Sequence, residues 1–141
     1  MLINKKQLHQ AFLKAKEVRK NSYSPYSKFA VGAAIKLKGQ KSLILGANVE
    51  NASFGATICA EKSAIVQAVS KYGKVKIEYV VVVTNTKPAI GPCGLCLQTI
   101  KEFATKDTMV CLANLKGIQQ VVKFEELVSL PPKSFPNKQT K

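Results

Sequence analysis

Four residues of this sequence have the types and spacing to do chemistry together. Cys59, Cys93 and Cys96 form a C-x33-C-x2-C set, and Glu61 follows the first of them by two positions. Cysteine thiolates are ligands for zinc. A structural zinc takes four protein ligands, whereas a catalytic zinc takes three and leaves a position for water. The fourth cysteine, Cys111, lies in the apolar run Met109-Val110-Cys111-Leu112-Ala113, where a buried thiol packs as a small hydrophobe. The single histidine, His9, sits among Lys and Gln and reads as a solvated surface residue. Three thiolates and one open position remain. Zinc lowers the pKa of a bound water from about 15.7 toward ~7, and a carboxylate beside it can carry the released proton to a leaving group. A first-turn glutamate alone would be explained by the helix dipole. Two residues from a metal ligand, Glu61 is read as catalytic.

The flanking elements must bring two distant segments to one ion. A Cys-x-x-Cys at the start of a helix places both sulfurs on one side of its first turn, where open N–H groups favour thiolates. Cys59 is expected at the start of another helix, capped by Thr57 or a neighbour. Residues two apart do not share a helix face, so Cys59 and Glu61 can meet one ion only if it lies off the helix end.

Leu8, Ala11, Phe12, Ala15 and Val18 recur at helical spacing and predict a first helix ending near Asn21. Strands are predicted over 29–37 and 42–49 around a tight Gly39-Gln40 turn. The helix from Cys59 carries Ala60, Ala64, Ile65, Ala68 and Val69 toward the core and stops at Tyr72-Gly73. A buried strand over 79–83 follows, then a helix with Pro92 in its first turn running through Phe103. Strands over 109–113 and 119–123 and a short helix over 125–129 complete the order. The alternation implies an α/β fold, a three-layer α/β/α arrangement with a mixed sheet of about five strands. Both helix N-termini should point at the region where open α/β sheets bind ligands.

The 141 residues predict one domain over 1–130 and a basic, proline-interrupted tail over 131–141. Neither a signal peptide nor a membrane span is visible, which implies a cytoplasmic protein with reduced thiols. The formal charge of +14 could suggest nucleic acid. The lysines, however, are scattered, and Arg19 is the one arginine, so a nucleic-acid partner is disfavoured. A nonenzymatic zinc-stabilised binding module is the rival of a different class, and it needs Cys111 or His9 to close a four-ligand site.

Cys59-Ala60-Glu61 followed by Pro92-Cys93-Gly94-Leu95-Cys96 resembles the zinc deaminase signature in its three-cysteine form. Further segments are similar to the small homotetrameric cytidine deaminases: residues 23–33 (YSPYSKFAVGA), 48–52 (NVENA), Gln98 after the Cys-x-x-Cys, and 132–135 (PKSF). The resemblance implies a one-zinc enzyme of pyrimidine salvage that hydrolyses cytidine and deoxycytidine to uridine and deoxyuridine with release of ammonia. Zinc-bound hydroxide would attack C4 while Glu61 shuttles the proton. It further implies that Asn48 and Glu50 bind the ribose, that Phe29 stacks on the base and that the Ala60 backbone reads its edge. Lys62 and Gln98 would support the zinc thiolates, and Phe54 and Phe135 would reach a neighbouring site in a homotetramer. Lys62 stands where the family often has arginine, Leu97 where a second arginine is common, and Phe54 where tyrosine is common. Deaminases of an aminonucleoside antibiotic or of polynucleotide cytosine share the zinc motifs and are the nearest alternatives.

Overall fold

The computed structural model describes residues 3–128. Three helices and five strands follow in the order α1 (Lys5–Val18), β1 (Gly32–Leu37), β2 (Leu43–Ala47), α2 (Ala60–Tyr72), β3 (Ile77–Val83), α3 (Gly94–Phe103), β4 (Ala104–Asn114) and β5 (Gly117–Lys123). Short 3-10 turns extend α1 over Arg19–Asn21 and follow β5 over Phe124–Leu127. The strands form one sheet in the order β2-β1-β3-β4-β5. β3 and β4 are parallel, and the other neighbouring pairs are antiparallel. A parallel pair needs a crossover connection, and α3 supplies it.

Alternation along the strands sorts side chains between two faces. Ile35, Leu37, Val80, Val82, Val110 and Leu112 pack with Ala64, Ile65 and Ala68 of α2 and Ile100 of α3. Ala34, Tyr79, Val81, Val83, Cys111 and Ala113 pack with Leu8, Ala11, Phe12 and Ala15 of α1. The chain is thus the expected α/β/α sandwich around a mixed five-stranded sheet. Among the described residues, no helix is long and apolar enough to cross a membrane.

Gly46 sets how closely α2 can lie on this sheet. A Cβ there would stand 2.3 Å from the Ala60 carbonyl oxygen and 2.7 Å from the Ala64 nitrogen, and both are helix backbone that cannot move without shifting α2. Gly46→Ala is expected to cost about 1–3 kcal/mol, read as a lower midpoint in thermal unfolding. Gly55, with nothing within 4 Å of its would-be Cβ, is the control. Equal shifts for the two alanine variants would contradict the close approach.

Several element ends differ from the sequence-based expectation. Cys59, not Thr57, is the N-cap of α2, and no side chain caps that helix. Cys93 is the N-cap of α3, so Pro92 lies outside the helix and not in its first turn. The strand expected from residue 29 begins at Gly32, because residues 29 and 31 bond the Asn48 side chain ahead of the β-ladder. The link between β1 and β2 is a five-residue loop, 38–42, rather than a two-residue turn. In it Gly39 takes φ +80, and Lys38 donates its N–H across to Lys76.

Candidate active site

Cys59 and Cys93 both occupy N-cap positions with extended backbone, and Cys96 sits in the first turn of α3. The three Sγ atoms lie within 4.8 Å of one another, with Cys59 and Cys93 at 3.8 Å. A tetrahedral ion with Zn–S bonds near 2.3 Å spaces its sulfurs by about 3.8 Å, so the donor set fits zinc. Neither N-cap side chain is spent on a backbone cap, which leaves the sulfurs for the ion. The thiol of Cys96 hydrogen-bonds Cys59 and draws its pKa down to about 6; Cys93 and the charge of Lys62 act in the same direction, against burial. The same bond, followed by burial and the charge of Glu61, pushes Cys96 up. The surroundings thus favour the thiolate form of Cys59, the form that a divalent cation requires.

Among the described residues, no fourth Cys, His, Asp or Glu groups with the three sulfurs. Cys111 is fully buried on the α1 side of the sheet, and burial pushes its thiol up to about 12. His9 is exposed on α1 beside Phe12. The residues outside the described range include no Cys, His, Asp or Glu.

Glu61 is 4% exposed, and its Oε2 accepts from the Cys96 thiol at 3.5 Å. Burial raises its pKa first, and the charge of Cys59 adds to the effect. A carboxyl that holds its proton more readily suits proton shuttling near neutral pH. Glu61 reaches the sulfurs because the cluster lies off the end of α2.

These groups share one cavity of about 370 Å³ with Phe29, Val31, Asn48, Thr57, Ala60, Val82, Thr84, Ile90 and Gly91. Asn48 is a brace as well as a wall. Its Oδ1 accepts from the Val31 N–H at 2.9 Å and from the Ser22 hydroxyl, while Nδ2 donates to the Phe29 carbonyl at 2.7 Å. One amide proton remains.

Glu50 lines an adjoining cavity of about 290 Å³ with Tyr26, Ser27, Phe54 and Thr57. Thr57 lines both cavities. The Glu50 Oε1 accepts the N–H groups of Tyr26 and Ser27 at 3.0 and 3.1 Å. The Ser27 side chain, these two amides and the Lys28 charge hold the carboxyl below its usual range. Among the described residues, no backbone N–H donates to its other oxygen. Lys28 itself takes φ +59, a left-handed conformation that is strained for a lysine, and it delivers Phe29 to the cavity wall.

Other sequence-predicted residues lie elsewhere. Gln98 is exposed on α3, two residues past Cys96 and so about 200° around the helix from it. Lys62 is half-buried and acts on Cys59 through its charge. Leu97 packs against the core. Phe54 is 75% exposed, edge-on to Tyr26 with ring centroids 6.1 Å apart. Phe135 lies outside the described residues.

The sequence reading missed Val31, Thr57, Val82, Thr84, Ile90 and Gly91 as cavity walls, and Tyr26 and Ser27 as donors to Glu50. Val82 and Thr84 stand at the C-terminal end of β3, the place where α/β sheets bind ligands, and that rule could have named them. The donors are backbone groups and carry no side-chain signal.

Residues 5–112 match the family described as the cytidine and deoxycytidylate deaminase zinc-binding region. A cytidine deaminase of Halalkalibacterium halodurans is 44% identical over 112 residues, covering 79% of this chain and 83% of that protein. One from Mycoplasma pneumoniae is 44% identical over 109 residues, covering 76% and 80%. The crystal structure of cytidine deaminase from Burkholderia pseudomallei superposes with a TM-score of 0.80 at 33% identity, covering 92% of this chain and 99% of that one. With its three thiols and buried glutamate in one cavity, this chain belongs to the cytidine and deoxycytidylate deaminase zinc-binding family.

Proposed function

We propose that this protein hydrolyses the exocyclic amine of cytidine and deoxycytidine, giving uridine or deoxyuridine and ammonia. The observation that carries the reading is Glu61, a buried carboxyl against the Cys96 thiol, one of three that fit zinc. Zinc, held by Cys59, Cys93 and Cys96, supplies the Lewis acid that makes water a nucleophile near neutral pH. Glu61 would take one proton of that water and place it on N3 of the ring, where the product keeps it, and would then pass the second, released as the new C4 hydroxyl becomes a carbonyl, to the departing amine. Phe29 covers the base, the Ala60 backbone reads its edge, and the spare Asn48 proton and the Glu50 carboxylate hold the ribose. Lys62 offsets part of the third thiolate's charge.

The lining favours a free nucleoside over a nucleotide or polynucleotide. Among the described residues neither cavity is lined by a Lys or Arg, and Glu50 adds a negative charge to the second. In this proposal the protein is a cytoplasmic enzyme of pyrimidine salvage, with one domain over 1–130. It assembles as a homotetramer in which Phe54 and, from the tail over 131–141, Phe135 complete a neighbour's site. The exposed rings of Phe54 and Tyr26 at the cavity mouth support such a partner.

Zinc-loaded protein incubated with each substrate and followed by ultraviolet absorbance tests this. Cytidine and deoxycytidine should turn over, with CMP lower in kcat/KM by about 10²-fold through like-charge repulsion at Glu50. Glu50→Gln should narrow that gap while raising KM for cytidine. No turnover of either nucleoside, or a preference for CMP, overturns the reading. A monomer by light scattering at micromolar concentration would remove the shared site.

A further inference from the structure

The sheet face opposite the active site carries a second concave feature of about 270 Å³, lying between the first turns of α1 and the β1–β2 edge. Its polar walls are Lys6, Gln7, Gln10, Lys36, Lys41 and Tyr79. Tyr79 gives the cavity its meaning. The residue is 1% exposed and packs in the core under α1, where a phenylalanine would fill the space without burying a hydroxyl. Among the described residues its hydroxyl makes no hydrogen bond, yet no sealed side-chain oxygen or nitrogen lacks a partner. The hydroxyl therefore opens into the cavity that the residue lines. Burial raises the phenol's pKa to about 12, so it remains a proton donor at physiological pH.

Three lysines line the cavity, and one carboxylate, Glu78, stands beside Lys36 and raises the Tyr79 pKa further. Lys36 donates Nζ to the Leu37 and Gln40 carbonyls and stands 3.9 Å from the Glu78 carboxylate, so it is largely committed. Lys6 and Lys41 enter no ion pair among the described residues. The side-chain amides of Gln7 and Gln10 also lack partners there and can donate. A hydroxyl donor, two amides and two uncommitted ammonium groups converging on one small cavity suit a multiply charged oxyanion.

We propose that this cavity binds the phosphate group of a small phosphorylated molecule, with Tyr79 donating to a phosphate oxygen and Lys6 and Lys41 neutralising the charge. The volume lies just below the usual range for small-molecule sites, which fits a phosphate on a short organic body and not a polynucleotide. The active site, with no basic lining, and this basic cavity would therefore sort nucleoside from phosphate to opposite faces of one sheet.

Calorimetric titration of the zinc-loaded full chain with glycerol 3-phosphate, and with glycerol as the neutral control, tests the proposal. Saturable binding of the phosphate ester alone is expected. Tyr79→Phe should weaken it about tenfold or more, the usual loss for a hydrogen bond to a charged group, with the thermal midpoint retained. Lys41→Gln, on an exposed loop, should weaken binding severalfold and flatten its salt dependence; this variant carries the test if Tyr79→Phe does not fold. Absence of saturable binding overturns the proposal. So does binding that both variants leave unchanged, since the phosphate would then sit on other lysines.

Discussion

Glu61→Gln is expected to abolish deamination while leaving zinc in place. The substitution keeps the shape of a buried side chain but removes the group that accepts and returns the proton. General acid–base contributions run about 10²–10⁴-fold. Because Glu61 serves as base in one step and acid in the next, the loss in kcat should fall at the upper end. Zinc content by atomic emission should remain near one per chain, since the three sulfurs are untouched.

A second readout separates chemistry from collapse. Burial raises the Glu61 pKa, so the folded metal-free protein binds this proton more tightly than the unfolded chain does. The associated stability is full below the unfolded pKa and is lost as pH rises through the folded one. The ionised form is thus a burden on the fold, and metal-free Glu61→Gln should unfold at a higher temperature than the metal-free wild type, by a margin that shrinks on acidification. A variant that keeps zinc, gains stability and still turns over cytidine would sink the assigned role. Function here is held against stability.

Cys96→Ser is expected to empty the site. Cys96 is 1% exposed in the first turn of α3, and its sulfur is the one that also contacts Glu61. A serine hydroxyl does not ionise near neutral pH and is a poor partner for zinc, so metal content should drop well below one per chain and turnover with it. The midpoint of thermal unfolding should fall too, because the ion ties the start of α2 to the start of α3 and its binding energy is folding energy. Cys111→Ala provides the contrast. That thiol lies across the sheet, so zinc and activity should persist despite a small packing loss. If Cys96→Ser retained a full complement of zinc, the three-sulfur assignment would be wrong.

Much of this architecture was legible in the sequence for physical reasons. The run from Tyr79 to Val83 is apolar throughout because helices cover both sides of β3. The condition that Cys59 and Glu61 meet only off a helix end follows from helical rotation alone, and the geometry satisfies it. What escaped depends on contacts between distant segments. Thr57 looked like a cap because hydroxyls usually fill that position, but the N-cap here is a sulfur kept for metal. Asn48 presents a binding amide in sequence, and only tertiary structure reveals that most of its hydrogen-bonding capacity clamps the Phe29 segment. The cavity at Tyr79 left no trace, since Lys36 and Tyr79 become neighbours only through β1–β3 pairing.

The 3.8 Å spacing of the Cys59 and Cys93 sulfurs has a consequence for the protein's durability. While an ion occupies the cluster, the sulfurs' electron pairs are committed and the metal acts as a protecting group. Once it departs, a thiolate at Cys59 stands beside a second sulfur, the arrangement from which oxidants make disulfides. Such a bond would stitch two helix ends together and erase the seat of the ion. Cys111, shielded by the sheet, would be spared. Reductant and metal supply are thus two halves of the same upkeep, and the rate of zinc escape sets how long the catalyst survives in oxidising surroundings.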